Sequence, residues 1–346
     1  MINVRFLAAK AYEASKKFAL FSSVMKNEIL EKIACAIEEN LPVILKANRI
    51  DVDIALKKKM PSGLVDRLIL NKERLQNIIS EIRKVEALGD PVGKIIESRE
   101  LKNGLFLKRV RVPLGVIGII YEARPNVTVD SVILCLKSGN AVILKGGSDS
   151  INTNRALIKL IKNALDGMQD AVQFIDLADH AAVQELLKLN GLIDVIIPRG
   201  GKKLINFVRE NSTVPVIETG ASVVHTYIHE DADIAKAVKI ILNAKLRRVS
   251  ICNALDVLVL HKNIAEDFLN AFIKALPKNP YKADKLEIHA CDSSFNILRS
   301  MKKPKKFDLS LKKAKEIDYD TEFLDYILAI KIVRNFDSAL EHIAHH

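Results

Sequence analysis

Cys252 stands in "RRVSICNALDVLVLH" (247–261), between a basic approach and an alternating apolar run. Arg247, Arg248 and the amide of Asn253 lie close in sequence, and cationic groups and amides stabilise a thiolate. A thiolate suits carbonyl chemistry because its thioester accepts hydride. Cys35, Cys135 and Cys291 read instead as small buried hydrophobes.

Two loops carry glycine pairs just past an apolar run. In "LKGGSDS" the amides of Gly146, Gly147 and Ser148 can turn toward anionic oxygens, with Lys145 at the end of the run. In "IIPRGGKKLI" Gly200 and Gly201 lead straight into a helical pattern, whose first amides carry partial positive charge. Neither loop is a complete dinucleotide or Walker fingerprint, and a strand-to-helix turn asks for glycine in any case. "YEARPNVT" leaves Arg124 and Asn126 after another apolar run. The arginine can clamp a carboxylate or phosphate, and the asparagine can donate to a developing oxyanion or cap the helix that follows. Glu218 ends "VPVIE", where a carboxylate can relay a proton or accept from loop amides. His225, His229, His261 and His289 form no HExxH pattern, and no metal is expected.

The elements that must hold these residues follow from periodicity. Ile29, Leu30, Ile33, Ala34 and Ile37, then Leu75, Ile78, Ile79, Ile82 and Val85, recur at helical spacing, and "GDPVG" (89–93) stops the second helix. From Gly104 the period changes. "LFLKRVRV" alternates imperfectly like a strand, and "VIGIIYE" reads as a strand buried on both faces. Strands "AVILK", "VQFID", "DVIIP" and "VPVIET" then alternate with helices, which predicts a doubly wound parallel sheet with ligands at its carboxyl ends. Beyond Glu218 the spacing predicts a strand at "HTYIH", a helix through "DADIAKAVKIILNAK" capped by Asp231, the Cys252 segment, a helix at "AEDFLNAFIKAL", loops with short elements from Pro277 to Lys315, and a strand at "LDYILAIKIV".

A chain of 346 residues, 49% hydrophobic and 27% charged, predicts two globular lobes. Its net charge of +11 favours anionic partners, phosphorylated small molecules as readily as nucleic acid, or simply clothes a lysine-rich surface. With aromatics at 5%, no Trp and no zinc-finger spacing, specific nucleic-acid binding is not expected. Four scattered cysteines without CxxC, no apolar leader and no membrane-length apolar run predict a cytoplasmic protein.

"VRVPLGVIGIIYEARPNVTVDSVILCLKSGNAVILKGG", "IIPRGG", "NSTVPVIETG", "SICNAL" and "DTEFLDYILAIKIV" occur in this order, and the chain resembles the gamma-glutamyl phosphate reductase family of the aldehyde dehydrogenase superfamily. The resemblance implies an aldehyde dehydrogenase-like α/β fold. Its parts are an NADPH-binding domain over 1–99 and 113–222, part of an oligomerisation hairpin at 100–112 and a catalytic domain over 223–346. It implies NADPH-dependent reduction of glutamyl 5-phosphate in proline biosynthesis, through a thioester on Cys252 at the surface of the cleft between lobes. Asn126 and the Cys252 amide correspond to the oxyanion donors and Glu218 to the general base. Lys145 falls beside the adenosine ribose, with Gly146 and Ser148 as further cofactor-binding positions, Gly200 and Gly201 beside the cofactor phosphates, and Glu322 beside the nicotinamide ribose. Arg124 and Asn253 fall to the substrate.

The chain departs from the family at Arg247, Arg248 and Val249, where a Gln-Arg pair and proline are usual, and at Ser222 to Val224, where a Gly-Asn-Cys run is common. Relatives are expected to continue past "EHIAHH" with a glycine- and serine-rich segment and further strands, which complete the catalytic lobe and the self-association of the full-length family. The alternatives are an inactive nucleotide-binding relative, an aldehyde-oxidising dehydrogenase and a basic nucleic-acid binder.

Overall fold

The computed structural model describes residues 3–122, 124–176, 180–218, 222–302 and 304–346, in two compact units, Met1–Gly220 and Ala221–His346. The first unit opens with five helices, α1 (Val4–Phe18), α2 (Ser23–Glu39), α3 (Leu41–Lys57), α4 (Ser62–Leu68) and α5 (Lys72–Ala87). Asn3, Ser22 and Asn71 cap α1, α2 and α5 by accepting the amide three residues on, which satisfies one of the orphan donors at each helix start. The stripes read from the sequence in α2 and α5 are buried, except that Val85 is only partly so. Burying each such aliphatic side chain is worth roughly 1.5–3 kcal/mol.

β1 (Ile95–Glu100) and β2 (Phe106–Val110) form an antiparallel ribbon, with Ile95 opposite Val110 and Glu100 opposite Phe106. All its residues are exposed, so it has no inner face to impose alternation, and it begins ahead of the expected 100–112. There follow β3 (Val116–Tyr121), α6 (Pro125–Lys137), β4 (Ala141–Lys145), α7 (Ile151–Ala164), β5 (Val172–Phe174), α8 (His180–Leu186), β6 (Val195–Arg199) and α9 (Lys202–Asn211). The sheet is parallel, in the order β5-β4-β3-β6. The chain moves outward from β3 to β5 and returns to the other side of β3 as β6, so the switch point lies between β3 and β6. The expected strand "VPVIET" is reduced to one bridge between Val216 and Ile196. Pro198 and Pro215 each remove an amide that a longer ladder would need.

The second unit holds β7 (His225–Ile228), α10 (Ile234–Leu246), β8 (Val257–His261), α11 (Ala265–Ala275), β9 (Lys285–Ala290), α12 (Asp292–Ser300), β10 (Asp308–Lys313), β11 (Ile327–Val333) and α13 (Phe336–His345). Its five strands are parallel, in the order β10-β9-β11-β8-β7. The stretch 277–315, expected as loops with short elements, supplies two strands and a helix. In β9 Leu286, Ile288 and Ala290 alternate into the core, but β10 is an edge strand with no buried residue, which left the pattern faint. The cap of α10 is Asp233 rather than Asp231. Asp233 accepts from the amide of Lys236, and Asp231 lies against His229 Nδ1 at 2.7 Å. Among the described residues no helix is long and apolar enough to cross a membrane.

Candidate functional site

The carboxyl ends of the first sheet gather the residues of the first unit. β3 runs into α6 through Glu122 and Arg124. The N-cap position belongs to Arg124, whose side chain makes no capping bond. Asn126 lies inside the first turn, which removes its expected alternative role as a cap. Its Nδ2 donates to Asp130 Oδ2 at 3.1 Å, an i,i+4 pair on one face of the helix. Burial pushes the Asp130 carboxyl up, and the Asn126 amide opposes this by donating to its charged form.

β4 ends at Lys145, which is buried. Its Nζ donates to the carbonyl of Gly146 at 2.9 Å. The other two N–H groups of the ammonium have no partner among the described residues, and burial pushes its pKa down. Gly146 rests on a closed polar network. Tyr121 Oη lies 2.6 Å from Thr128 Oγ1, Thr128 donates to Asn154 Oδ1 at 2.8 Å, and Asn154 donates to Ser150 Oγ at 3.1 Å. A Cβ on Gly146 would lie 2.5 Å from Asn154 Nδ2, so packing from below requires that glycine. Ser148 is exposed at the start of the next turn.

At the switch point β6 leads through Gly200 and Gly201 into α9. The carboxylate of Glu122 is already there: Gly201 N donates to Glu122 Oε1 at 3.1 Å. A Cβ on Gly200 would lie 2.7 Å from that carboxyl carbon. Glu218 accepts from Arg209 Nη1 at 3.5 Å through Oε1, and its Oε2 is buried without a hydrogen-bond partner among the described residues.

In the second unit Cys252 is exposed in the turn between α10 and β8, as is Asn253. Arg247 is the C-cap of α10, and both Arg247 and Arg248 are exposed. Beneath the turn two charged residues are buried, Lys245 at 0% and Asp256 at 2% exposure. Lys245 Nζ donates to the carbonyl of Leu255 at 2.8 Å. Asp256 accepts from Phe323 N at 3.2 Å through Oδ1 and from Val224 N at 3.3 Å through Oδ2. Glu322, half-buried, precedes the first of these amides, so one carboxylate links its segment to the strand that follows Cys252. The other cysteines lie in or at the start of helices rather than in an exposed turn. Cys135 is buried in α6 with its thiol pushed up to about 12, Cys35 lies 3.5 Å from Glu31 Oε1 on α2, and Cys291 is the N-cap of α12.

The first unit thus brings Glu122, Arg124, Asn126, Lys145, Gly146, Gly200 and Gly201 to one end of its sheet, and in the second Asp256, four residues past Cys252, accepts the amide of Phe323, the residue after Glu322. Glu122, Lys245 and Asp256 were not singled out from the sequence. A carboxylate in "YEARPN" directly after a buried strand was a usable signal for Glu122, whereas nothing in the spacing separates Lys245 from the many surface lysines. His225 and His229 stand four residues apart, but along and just past β7, where that separation spans about 13 Å. No group of three or more His, Cys, Asp or Glu able to hold a metal exists among the described residues.

Comparison with known proteins gives a consistent picture. Residues 3–287 match the model of the aldehyde dehydrogenase family. The gamma-glutamyl phosphate reductase of Dictyoglomus thermophilum is 45% identical over 337 residues, covering 96% of this chain and 78% of that protein. The crystal structure of gamma-glutamyl phosphate reductase from Thermotoga maritima superimposes with a TM-score of 0.87 at 41% identity, over 99% of this chain and 80% of that one. An engineered glycolyl-CoA reductase with bound NADP+ shares the fold, with a TM-score of 0.67 at 17% identity over 98% of this chain and 78% of that one.

Proposed function

The chain belongs to the aldehyde dehydrogenase family, among the gamma-glutamyl phosphate reductases, and on that premise we propose that it reduces L-glutamyl 5-phosphate to L-glutamate 5-semialdehyde and phosphate with NADPH, in proline biosynthesis. The observation that carries the mechanism is the exposure of Cys252 in the turn ahead of β8, while Cys135 is sealed in apolar packing.

The thiolate of Cys252 attacks the acyl carbon. The carbon–oxygen bond to the phosphoryl group breaks, phosphate leaves with the electron pair, and a thioester remains. An acyl phosphate is activated, so this step needs little acid assistance. A nicotinamide dinucleotide, when bound, would supply the hydride that the thioester carbon accepts. Asn126 and the Cys252 amide are assigned to the oxyanion that then forms on the Cys252 adduct, and its collapse returns the thiolate. Arg124 and Asn253 are assigned to the anionic groups of the substrate. Glu218, with one oxygen free of hydrogen bonds among the described residues, is assigned to proton relay.

The residues fit a dinucleotide at one end: Lys145, with two N–H groups unpaired among the described residues, can meet a ribose hydroxyl or its phosphate, beside Gly146 and exposed Ser148. At Gly200 and Gly201 the Gly201 amide serves Glu122, so a phosphate there takes the place of that carboxylate. Glu322 is assigned to the nicotinamide ribose. We place self-association on the β1–β2 ribbon, where Ile95, Phe106 and Leu107 are exposed apolar residues. Phe106→Lys is expected to lower the mass measured by light scattering, and an unchanged mass argues against that surface.

The deciding experiment is the reverse reaction, reduction of NADP by glutamate semialdehyde, with and without phosphate. Wild-type turnover should require phosphate, and Cys252→Ser should lower it by about a thousandfold or more. Phosphate-independent turnover would point to aldehyde oxidation instead, and full activity of the serine variant would remove the thioester route.

A further inference from the structure

Lys245 on α10 and Asp256 just ahead of β8 bracket the loop that carries Cys252. The base of the loop is closed twice: Lys245 Nζ donates to the carbonyl of Leu255 at 2.8 Å, and the amide of Leu255 donates to the carbonyl of Ala244 at 3.0 Å. Asp256 spends each carboxylate oxygen on a different segment, one on the amide of Phe323 and the other on the amide of Val224. The residue after Phe323, Leu324, has φ 52°, a left-handed conformation that a leucine avoids unless its surroundings impose it.

Burial pulls both groups toward neutrality, Lys245 down to about 8 and Asp256 up from the usual carboxylate range, and the charge of each opposes the shift of the other. Asp325 adds to the field that keeps Lys245 charged, and His225 to the one that keeps Asp256 charged. A carboxylate buried without a cation would take up a proton and weaken as an acceptor.

We propose that Lys245 and Asp256 are positioning residues of the reaction centre, holding the Cys252 loop and the Glu322 segment on one rigid frame. The pair touches neither substrate nor cofactor in this scheme. It sets the thiol and the ribose-binding carboxylate at the same time, so loosening it disturbs chemistry and cofactor binding together. The inference rests on the assignment of Cys252 and Glu322 made above.

Asp256→Asn turns one acceptor oxygen into a donor, and Lys245→Met removes the ammonium while keeping the stem. In each variant that keeps the wild-type circular dichroism spectrum, two quantities are measured: kcat in the reverse reaction and the NADPH dissociation constant from fluorescence titration. The expected result is a kcat at least tenfold lower, as misplacement of a reacting group produces, together with NADPH binding at least threefold weaker. A smaller folded fraction would lower kcat but leave that dissociation constant where it was. Either quantity within twofold of wild type in both folded variants overturns the positioning role, as does failure of both variants to fold. If only one folds, it decides. Full turnover in Cys252→Ser overturns the nucleophile assignment instead, which separates the two failures.

Discussion

The carboxylate of Glu122 accepts the amide of Gly201 at 3.1 Å, so an acidic side chain from the end of β3 caps the helix that opens at the switch point of the first sheet. A carboxylate at a helix N-terminus is stabilised by about 0.3–1 kcal/mol and repels another anion that seeks the same amides. Glu122→Gln should therefore tighten NADPH binding by a few fold, up to about tenfold, since about 1.4 kcal/mol corresponds to a factor of ten. Fluorescence titration checks this, and weaker binding in the variant would show that the carboxylate serves the ligand rather than competing with it.

Asn126 lies inside α6, where its amide reaches Asp130. If it also donates to the oxyanion, Asn126→Ala should lower kcat by about 10²–10³ with little change in KM, the signature of an interaction made only in the transition state. Steady-state kinetics of the reverse reaction decides it, and a rise in KM alone would assign Asn126 to ground-state binding.

Asp51 is buried and accepts four hydrogen bonds from the first turn of α7: the Asn152 amide at 3.2 Å, Asn152 Nδ2 at 2.8 Å, the Thr153 amide at 2.8 Å and Thr153 Oγ1 at 2.6 Å. Asp51→Ala leaves the two Thr153 donors buried without that acceptor, at a cost of about 3 kcal/mol or more. Urea unfolding should show the loss, and a cost under about 1 kcal/mol would mean that water replaces the carboxylate.

His342 is buried against Tyr319 and His346, with Nε2 lacking a hydrogen-bond partner among the described residues, and burial pushes its pKa down to about 4. The folded state keeps the ring neutral where the unfolded chain, at about 6.5, already binds a proton. Stability should thus fall as pH drops from about 6.5 to about 4. His342→Phe should flatten that part of the profile in urea midpoints, and parallel profiles for the two proteins would show that His342 is not the group responsible.

Much of the architecture was legible because burial leaves a period. The stripes of α2 and α5 and the continuous runs of β3 and β4 each declare which face meets the core. The ribbon β1–β2 and the edge strand β10 left no such mark, since neither has a buried face. Cys252 was legible as a thiol among basic residues ahead of a strand, and the glycine pairs as turns beyond strands.

The amino-acid order alone determined the alternation of elements, the parallel character of the first sheet and the residue types offered at its carboxyl ends, because these depend on local periodicity and turn chemistry. Only the tertiary structure decided that Glu122 reaches Gly201 across 79 residues and that Asp256 joins Phe323 across 67. Such pairings arise when strands distant in sequence become neighbours in one sheet, and a buried charge then takes whatever partner the packing brings to it. Neither the spacing of Lys245 nor that of Asp256 carries a trace of this, because burial is a property of the assembled core and not of the segment.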